Sequence, residues 1–386
     1  MLSYLIVVAV AAAVTAVASY VMLRVSRRYN LAPEVRARDV HDTPTPRLGG
    51  VAMFVGLIAA FVSGALLPEF RPLYTESTEM WALAGACVII AGVGILDDLL
   101  DLDWMIKLGA QFVATGLLAW NGLQIVSLPV GNTLVVGSAV LNFVLTVFFM
   151  TLVMNAVNFV DGLDGLVAGV AIISNSVFFI YTFLLHDRIG QIDAVTLAGF
   201  IACIVVAVCV GFLPYNWHRA KMFMGDTGAL LVGLLMAAST MSVTGKLNPA
   251  ALDQKLVIAS YIPIILPVAV FALPLADFCL AVVRRIRAGK SPFSADRQHL
   301  HHRLLNMGHS PLQAVMIFYL GTAVVSVAAL LVFTLQDYVI PLLVLIVGGT
   351  ACVLLLLFPL ERVRTAIASR SLLPLSARVP NERTPE

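Results

Sequence analysis

The chain has 386 residues, of which 60% are hydrophobic and 12% are charged, and its formal net charge at pH 7 is +2. This composition excludes a soluble domain with one core, and the long continuous apolar runs exclude a barrel of alternating strands. The sequence therefore predicts an all-α, polytopic membrane protein whose spans each need about 20 mostly apolar residues.

Apolar windows predict eleven transmembrane helices, at 4–23, 49–67, 80–96, 107–121, 138–156, 165–185, 194–213, 227–244, 257–282, 313–333 and 339–360. The first run lacks the basic leader and the cleavage site of a signal peptide, so we expect a retained span with the N-terminus outside. Pro263, Pro267 and Pro274 predict a kink in the ninth run. This kink is either a packing feature or part of a broken helix that frames a lipid-facing groove.

Basic residues are unevenly divided between the two sides of this topology. Twenty of the 24 Lys and Arg residues lie on one side, which the positive-inside rule makes cytoplasmic. Five polar motifs that played no part in this assignment lie on the same side, at 41–50, 97–103, 155–164, 225–228 and 296–303. We therefore expect them to converge on one cytoplasmic site. Residues 1–360 then form a single membrane domain, and residues 361–386 form a disordered cytoplasmic tail.

The first acidic motif places Asp97 and Asp98 directly after an apolar run, with Asp101 and Asp103 close behind. An ionised carboxylate at the centre of a membrane costs about 2.5–3.5 kcal/mol, so these residues must lie at the interface or line a wet cavity. Adjacent acids at a helix end repel each other unless a cation offsets their charge. We therefore interpret Asp97 and Asp98 as functional, and Asp101 and Asp103 as part of a solvated loop.

A polar island separates the fifth and sixth spans, where Asn155, Asn158, Asp161 and Asp164 recur every three residues and a glycine follows each aspartate. On an ideal helix, steps of three drift by about 60° each, so two or three of these side chains can meet one ligand, but not all four. Capping of a helix end explains one or two of them. The remainder are candidate functional residues, and Asn155 is the member that we interpret as structural.

The segment 225–228, Gly-Asp-Thr-Gly, opens the eighth span. Asp226 or Thr227 as a plain helix N-cap is one interpretation. The other is that a helix N-terminus beside an acid forms a site where a metal and a phosphate meet. Together with the acidic pair and Asn158, Asp226 offers only hard oxygen ligands, which select Mg²⁺ or Mn²⁺ over zinc.

The last motif, at 296–303, is rich in basic side chains and includes His299, His301, His302 and Arg303. A zinc site would need a carboxylate or thiolate spacing that is not evident in the sequence. Attraction to anionic lipid headgroups is a second interpretation. The binding of substrate phosphates is the interpretation that we favour, because arginine forks and imidazoles are suitable donors.

Two further basic residues border these motifs. Arg47 ends a proline-rich segment before the second span, and Lys107 opens the fourth span on the cytoplasmic side. A loop before a helix often has such a composition, and a lysine at the end of a span often snorkels to the interface. On the residues alone, both are weak candidates for substrate binding.

The motifs HDTPTPRLGG, GILDD, NAVNFVDGLDG, FMGDTG and DRQHLHHRLL, in this order, resemble those of the polyprenyl-phosphate N-acetylhexosamine-1-phosphate transferases, in the WecA/TagO-like branch. The likeness covers residues 1–360. It implies transfer of a sugar-1-phosphate, with GlcNAc as the expected sugar, from a UDP-sugar to undecaprenyl phosphate, with release of UMP. This would be the first step of a cell-surface glycan pathway, at the cytoplasmic face of a bacterial inner membrane. It implies no nucleic-acid partner, and a homodimer is left open.

The resemblance also implies roles for individual residues. Asp97 and Asp98 would be the catalytic acidic pair, and Asp226 would coordinate Mg²⁺ or Mn²⁺ beside the reacting groups. Asn158 would contact the metal or the diphosphate, and Asp97 would share in the metal site.

The donor substrate would be bound by the other motifs. Asp161 and Asp164 would line the nucleotide pocket, with Asp164 as the uracil contact, and Lys107 would lie near the bound nucleotide. Arg47 would also bind the substrate. The loop that meets the sugar and its phosphates would contain His299, His301, His302 and Arg303.

Two rival interpretations of the chemistry remain open. The lipid phosphate attacks the sugar-bearing phosphorus after deprotonation by Asp97 or Asp98, or a covalent aspartyl-phosphate forms first. A sister branch that uses UDP-MurNAc-pentapeptide has a different sequence after its histidine run, so the present motif favours the WecA/TagO-like branch. An ion-coupled transporter is a function of another class, but its coupling residues would lie near the membrane midplane and not at span ends on one face.

Overall fold

The computed structural model describes residues 1–29, 44–125, 127–130, 133–189, 193–244, 279, 282–287, 289, 304–335 and 337–357. Their principal helices are α1 (Leu2–Tyr29), α2 (Gly49–Ala65), α3 (Arg71–Thr75), α4 (Glu79–Leu100), α5 (Trp104–Trp120), α6 (Ala139–Val160), α7 (Leu166–Ile189), α8 (Asp193–Asn216), α9 (Gly225–Thr244), α10 (Pro311–Leu335) and α11 (Val339–Leu357). A short 3-10 helix, Pro68–Phe70, precedes α3. A hairpin of β1 (Ser127–Val130) and β2 (Thr133–Val136) joins α5 to α6, with Ser127 opposite Val136.

The prediction of an all-α polytopic membrane protein is confirmed. Eight helices of the described residues are long and apolar enough to cross a membrane, or nine if α2 and the segment Pro68–Thr75, bent by 94°, are one span. Ten of the eleven predicted runs coincide with helices, of which α2 and α5 have 17 residues each. The ninth run, 257–282, with its three prolines, lies almost entirely outside the described residues, as does the tail.

The bundle is built around α8 and α9. In their most apolar stretches, 83% of the α8 residues and 94% of the α9 residues are buried, compared with 22% for α1 and 6% for α11. Helix α9 packs against α2, α4, α6 and α8, so protein and not lipid surrounds it. The segment that opens α9 is therefore held in place on several sides, as a site requires.

Small residues allow α2, α4 and α9 to approach closely at one end of the bundle. A Cβ atom at Gly50 would lie 2.2 Å from the amide nitrogen of Gly228, and one at Gly94 would lie 2.5 Å from the Cα atom of Thr227. Close contact between small residues is a main source of helix association in membranes, because apolar side chains gain little by leaving lipid. These contacts fix where α9 begins.

Backbone hydrogen bonds join the segment before α2 to the segment before α9. The amide of Phe223 donates to the carbonyl of Pro46 (2.8 Å), and the amides of Gly49 and Gly50 donate to the carbonyls of Phe223 (3.0 Å) and Met224 (2.8 Å). The first amides of a helix have no partner within the helix, so this exchange caps α2. The described part of the HDTPTPRLGG motif thus supports the start of α9.

Asp101 and Asp103 lie in the connection between α4 and α5, as their interpretation as loop residues implies. Asp101 ends α4 in the left-handed conformation (φ 56°), and Asp103 caps α5 by accepting a hydrogen bond from the amide of Met105 (2.8 Å). Both residues shape the turn between Asp97 and Lys107.

Candidate active site

Four of the predicted site residues meet in one network, and each comes from a different helix. The ammonium of Lys107, on α5, lies 3.0 Å from Asp97 Oδ2 on α4 and 3.0 Å from Asp226 Oδ2 on α9. Asn158, on α6, donates from Nδ2 to Asp226 Oδ1 (3.2 Å). Residues that are as many as 129 positions apart in the sequence therefore form one site at one end of the bundle.

Asp97 is held from both sides. Its Oδ1 atom accepts a hydrogen bond from the amide of Leu102 (2.9 Å), which closes the turn after α4, and its Oδ2 atom accepts one from Lys107 (3.0 Å). The residue is only 8% exposed. Its carboxylate is thus preorganised before any ligand binds, which is the condition for effective electrostatic catalysis.

Lys107 does not snorkel to solvent, as one interpretation of the sequence allowed. It bridges two carboxylates instead, so its single positive charge faces two negative ones. The excess negative charge at this point suits a divalent cation.

The donor set fits Mg²⁺ better than zinc. The described residues include no group of three or more His, Cys, Asp or Glu side chains that could hold a metal ion. Asp97 and Asp226 converge on one cation, the Lys107 ammonium, with the Asn158 amide beside them. Mg²⁺ is commonly bound by one or two carboxylates and completes its shell with water and substrate phosphates. Zinc sites instead use nitrogen and sulfur ligands in a closed set.

Asp98 faces a different direction from Asp97. Its Oδ1 atom accepts a hydrogen bond from the amide of Asp226 (2.9 Å), and its Oδ2 atom accepts from the amide (3.1 Å) and the hydroxyl (2.6 Å) of Thr227. A carboxylate from α4 therefore caps α9, and the side chain of Asp226 is left to face Lys107 and Asn158.

Asn155 and Asp161 of the polar island have different surroundings. Asn155 donates from Nδ2 to Gln111 Oε1 (2.5 Å) and to the carbonyl of Thr151 (2.8 Å), as a residue that joins two helices would. Asp161 follows the end of α6, where its amide donates to the carbonyl of Asn158 (3.2 Å).

The charge around Asp161 is predominantly negative. Burial and the neighbouring carboxylates of Asp226 and Asp98 raise the pKa of Asp161 to about 7, although Arg47 opposes this effect. Arg47, a weak candidate on the sequence alone, is therefore close enough to act on the site. Burial is the main cause of this shift, because it disfavours the charged carboxylate, and the two neighbouring carboxylates add to it.

Asp164 binds the loop between α8 and α9. Its Oδ2 atom accepts a hydrogen bond from the amide of Ala220 (3.1 Å) and lies 3.9 Å from His218 Nδ1. Arg219, between them, has a positive φ of 58°, which is uncommon for a residue with a side chain. Asp164 is 8% exposed, so its proposed contact with uracil would be made at the edge of this loop.

Two residues that the sequence did not indicate bind the backbone of Gly165, at the end of the polar island. Asn216 accepts a hydrogen bond from the amide of Gly165 (3.0 Å), and the hydroxyl of Tyr319 donates to the Gly165 carbonyl (2.6 Å). Gly165 has a φ of 73°, a conformation that glycine adopts readily. Asn216 and Tyr319 sit in apolar helices and bind backbone atoms, so no motif marks them.

An apolar cavity of about 450 Å³ leads to the charged network. Lys107, Asn158 and Asp226 form its polar end, and Gln111, Thr151 and Asn155 also line it. Its apolar wall includes Trp104, Leu108, Phe112, Phe148, Leu152 and Leu230. The site thus joins a place for a hydrocarbon chain to a place for charged groups.

A buried arginine lies beside this cavity. The guanidinium carbon of Arg285 is 5.7 Å from the centre of the Phe159 ring, and the residue is 5% exposed. Phe159 and Val282 both line the cavity. From the sequence, Arg285 was only one of many basic residues in its connection. The predicted phosphate-binding residues His299, His301, His302 and Arg303 lie outside the described residues.

Comparison with known proteins shows the family of the chain. The sequence pattern of glycosyl transferase family 4 matches residues 80–244. The decaprenyl-phosphate N-acetylglucosaminephosphotransferase of Mycobacterium leprae is 41% identical over 301 residues, which are 76% of this chain and 75% of the relative. The chain belongs to glycosyl transferase family 4.

Two more distant relatives in other bacteria have similar names. The probable undecaprenyl-phosphate N-acetylglucosaminyl 1-phosphate transferase of Bacillus subtilis is 32% identical, over 80% of this chain and 79% of the relative. The undecaprenyl-phosphate alpha-N-acetylglucosaminyl 1-phosphate transferase of Yersinia pestis is 31% identical, over 80% and 78%. The resemblance inferred from the motifs is confirmed, as is the prediction of a transferase enzyme. All four members of the Lys107 network lie within the part that matches glycosyl transferase family 4.

Proposed function

We propose that this protein transfers GlcNAc-1-phosphate from UDP-GlcNAc to a polyprenyl phosphate, releasing UMP and forming a polyprenyl-diphosphate-linked sugar. The observation that carries the proposal is the apolar cavity that ends at the charged network of Lys107, Asn158 and Asp226. An acceptor with a hydrocarbon tail and a phosphate head needs such a combination. The names of the relatives support the acceptor class and the sugar.

The acceptor would lie with its prenyl chain along the apolar wall and its phosphate at the polar end. Lys107 is the cation at that end, and Arg285 is a second cation beside Phe159. Relatives at 41% identity are named for decaprenyl phosphate, and those at 31–32% for undecaprenyl phosphate. We therefore extend the predicted acceptor from undecaprenyl phosphate alone to either lipid.

The donor would approach from the side of the polar island. Asp161, Asp164 and Arg47 are not among the residues that line the cavity, and Asp161 is close enough to Asp226 for their charges to interact, so we place the nucleotide near them and the diphosphate near Asn158 and Asp226. This order brings the sugar-bearing phosphorus between the nucleotide and the acceptor phosphate. Contacts of His299, His301, His302 and Arg303 with the sugar and its phosphates remain part of the proposal.

We propose Mg²⁺, with Mn²⁺ as a substitute, as the cofactor. Asp226 would hold it, with Asp97 and Asn158 beside it, because these hard oxygen donors meet at one point. When bound, the metal would offset the charge of the donor diphosphate and of the leaving UMP.

Asp97 is the proposed base. Its Oδ2 atom, which faces Lys107, takes a proton from the acceptor phosphate, and Lys107 stabilises the phosphate oxygen that remains. That oxygen forms a bond to the sugar-bearing phosphorus. The bond between this phosphorus and the bridging oxygen breaks, and UMP leaves with the electron pair. One phosphoanhydride replaces another, so the reaction is nearly balanced and reversible.

The site would face the cytoplasm of the inner membrane. The distribution of 20 basic residues on one side and four on the other supports this orientation. The bonded network lies at ends of α4, α5, α6 and α9 that belong to the same side. A water-soluble UDP-sugar and a membrane lipid can meet only at such an interface.

The test is an assay of the purified full-length protein in detergent with Mg²⁺. UDP-GlcNAc, UDP-GalNAc and UDP-MurNAc-pentapeptide are each offered with decaprenyl or undecaprenyl phosphate, and UMP and lipid-linked product are measured. We expect product with UDP-GlcNAc and at least one of the lipids. Failure to release UMP from any pair would overturn the proposal, and product from UDP-MurNAc-pentapeptide alone would place the protein in the sister branch.

Asp226→Asn is the matched variant for this assay, because it keeps the shape of the side chain and removes its charge. We expect transfer to fall by about 10³-fold, since the charge it removes is worth several kcal/mol in the transition state. Thermal unfolding in detergent checks that the variant is folded. A folded Asp226→Asn protein with normal transfer would contradict the proposed site.

A further inference from the structure

The acidic pair contains two residues with different environments. Successive residues on a helix point about 100° apart, so Asp97 and Asp98 have different partners. Asp97 contacts Lys107, whereas Asp98 accepts three hydrogen bonds from the first turn of α9. Both oxygens of Asp98 are therefore engaged with the helix that carries Asp226.

Two glycines make room for this contact. Gly225 has a φ of 70°, and a Cβ atom there would lie 2.6 Å from both carboxylate oxygens of Asp98. A Cβ atom at Gly94, one turn before Asp98 on α4, would lie 2.5 Å from the Cα atom of Thr227. Any side chain at either position would push α4 and α9 apart and lengthen the bonds to Asp98. The approach of Asp98 is thus built into both helices.

We propose that Asp98 is a positioning residue, which fixes the first turn of α9 and thereby the direction of the Asp226 carboxylate, and that it does not exchange a proton with the substrate. The negative charge of Asp98 suits the positive end of the α9 dipole. Its bond to the Asp226 amide holds the backbone of the residue whose side chain meets Lys107 and Asn158. The role in catalysis rests on the proposed function, but the effect on α9 does not.

The proposal makes Thr227 the partner of Asp98. Thr227 is fully buried, and its hydroxyl gives the shortest of the three bonds, at 2.6 Å. Thr227→Val removes this donor and keeps the shape of the side chain, whereas Thr227→Ser keeps the hydroxyl. Asp98→Asn places an amide against the Thr227 donors and removes the charge.

The experiment measures Mn²⁺ binding by electron paramagnetic resonance and transfer kinetics on the full-length protein. For Asp98→Asn we expect about a 100-fold loss of turnover, as for a misplaced catalytic group, and a higher half-saturating Mn²⁺ concentration. Thr227→Val should shift both quantities in the same direction by less, and Thr227→Ser should recover them. The double variant should be no worse than Asp98→Asn, because both changes break one contact. Asp101→Asn, on an exposed acid outside the network, is the control for the substitution itself.

The pH profile separates positioning from proton transfer. Asp98→Asn should lower kcat/KM and leave its dependence on pH unchanged, whereas Asp97→Asn should remove the acidic limb. Loss of that limb in Asp98→Asn, or normal Mn²⁺ binding and turnover in Thr227→Val, would overturn the proposal. If Asp98→Asn does not fold, the comparison of Thr227→Val with Thr227→Ser tests the proposal. If the wild-type protein transfers no sugar phosphate, the proposed function fails, and the Mn²⁺ titrations still test the effect on α9.

Discussion

Two cavities of similar volume lie at opposite ends of the bundle. The first, of about 450 Å³, ends at Lys107, where three charged groups and the Asn158 amide, from four helices, are bonded to each other at 3.0–3.2 Å. The second, of about 410 Å³, is lined by Glu69 and His186 among other residues. In the second cavity, the rings of Tyr4 and Phe70 are in contact, with centroids 4.9 Å apart, and the Tyr4 hydroxyl donates to the carbonyl of Thr196 at 3.5 Å.

The difference lies in how the polar groups are held. In the first cavity, Asp97 and Asp226 are fixed by backbone bonds and share one cation, so desolvated charge is built into the fold. In the second, Glu69 is exposed on the short segment that bends away from α2. Volume and a carboxylate are thus common to both, and convergent charge from separate helices distinguishes the site.

After that of Asp226→Asn, the largest effect should come from removal of the shared cation. Lys107→Met keeps the length of the side chain and removes its charge, which leaves two carboxylates facing each other. We expect about a 100-fold loss of turnover, because the donor that stabilises the acceptor phosphate is gone. We also expect tighter binding of Mn²⁺ to the protein without substrate, because an ammonium no longer competes for the two carboxylates.

Lys107→Arg is the control, since it keeps a cation and should leave Mn²⁺ binding closer to that of the wild type. Electron paramagnetic resonance gives the affinity, and UMP release gives the turnover. Weaker Mn²⁺ binding in Lys107→Met would mean that the carboxylates do not form the metal site.

Much of this network could be predicted from the sequence. A polar or charged side chain next to an apolar run is costly to bury, so Asp97, Asn158 and Asp226 could be recognised as candidate site residues. The different role of Asp98 was also accessible in principle, because neighbours on a helix point in different directions. Its partners, the first amides of α9 and the Thr227 hydroxyl, were not accessible, because they lie 128 and 129 residues further along the chain.

The rest of the site depends on contacts that the sequence does not encode locally. Asn216 and Tyr319 bind the amide and the carbonyl of Gly165 across 51 and 154 residues. The apolar runs predicted the helices, because one span length fits the bilayer. They did not show that α9 is central and α11 peripheral, since protein and lipid are similarly apolar. The many small residues of α9 are the one local sign of its burial.

A smaller effect should come from filling the first cavity. Leu152→Trp places a larger ring in its apolar wall, and we expect about a tenfold rise in the KM for the polyprenyl phosphate. The KM for UDP-GlcNAc should not change, because the proposed nucleotide-binding residues Asp161 and Asp164 do not line this cavity. Kinetics with each substrate varied in turn measures the two constants.

Leu343→Trp, on the lipid-exposed helix α11, is the matched control and should leave both constants unchanged. A short acceptor such as farnesyl phosphate should be less affected by Leu152→Trp than decaprenyl phosphate. An increase in the KM for UDP-GlcNAc alone would place the donor, and not the lipid, in this cavity.

A further effect concerns stability and pH. Because the pKa of Asp161 is raised from 3.8 to about 7, the folded protein binds a proton that the unfolded chain has released between these values. The metal-free protein should therefore lose stability as the pH rises from about 4 to 7. Asp161→Asn removes this contribution, so its unfolding temperature should fall less over that range. Thermal unfolding in detergent and chelator, at several pH values, measures the difference. Equal slopes for the two proteins would show that Asp161 ionises normally.

The smallest effect should come from the second cavity. Glu69→Gln removes a carboxylate from its wall and keeps the side-chain shape, as Asp226→Asn does in the first cavity. We expect transfer within about twofold of the wild-type rate, because an exposed side chain without a defined partner contributes little. The same assay of UMP release compares the two substitutions directly. A loss comparable to that of Asp226→Asn would show that the second cavity takes part in the reaction, and convergent charge would then no longer distinguish the site from the other cavity.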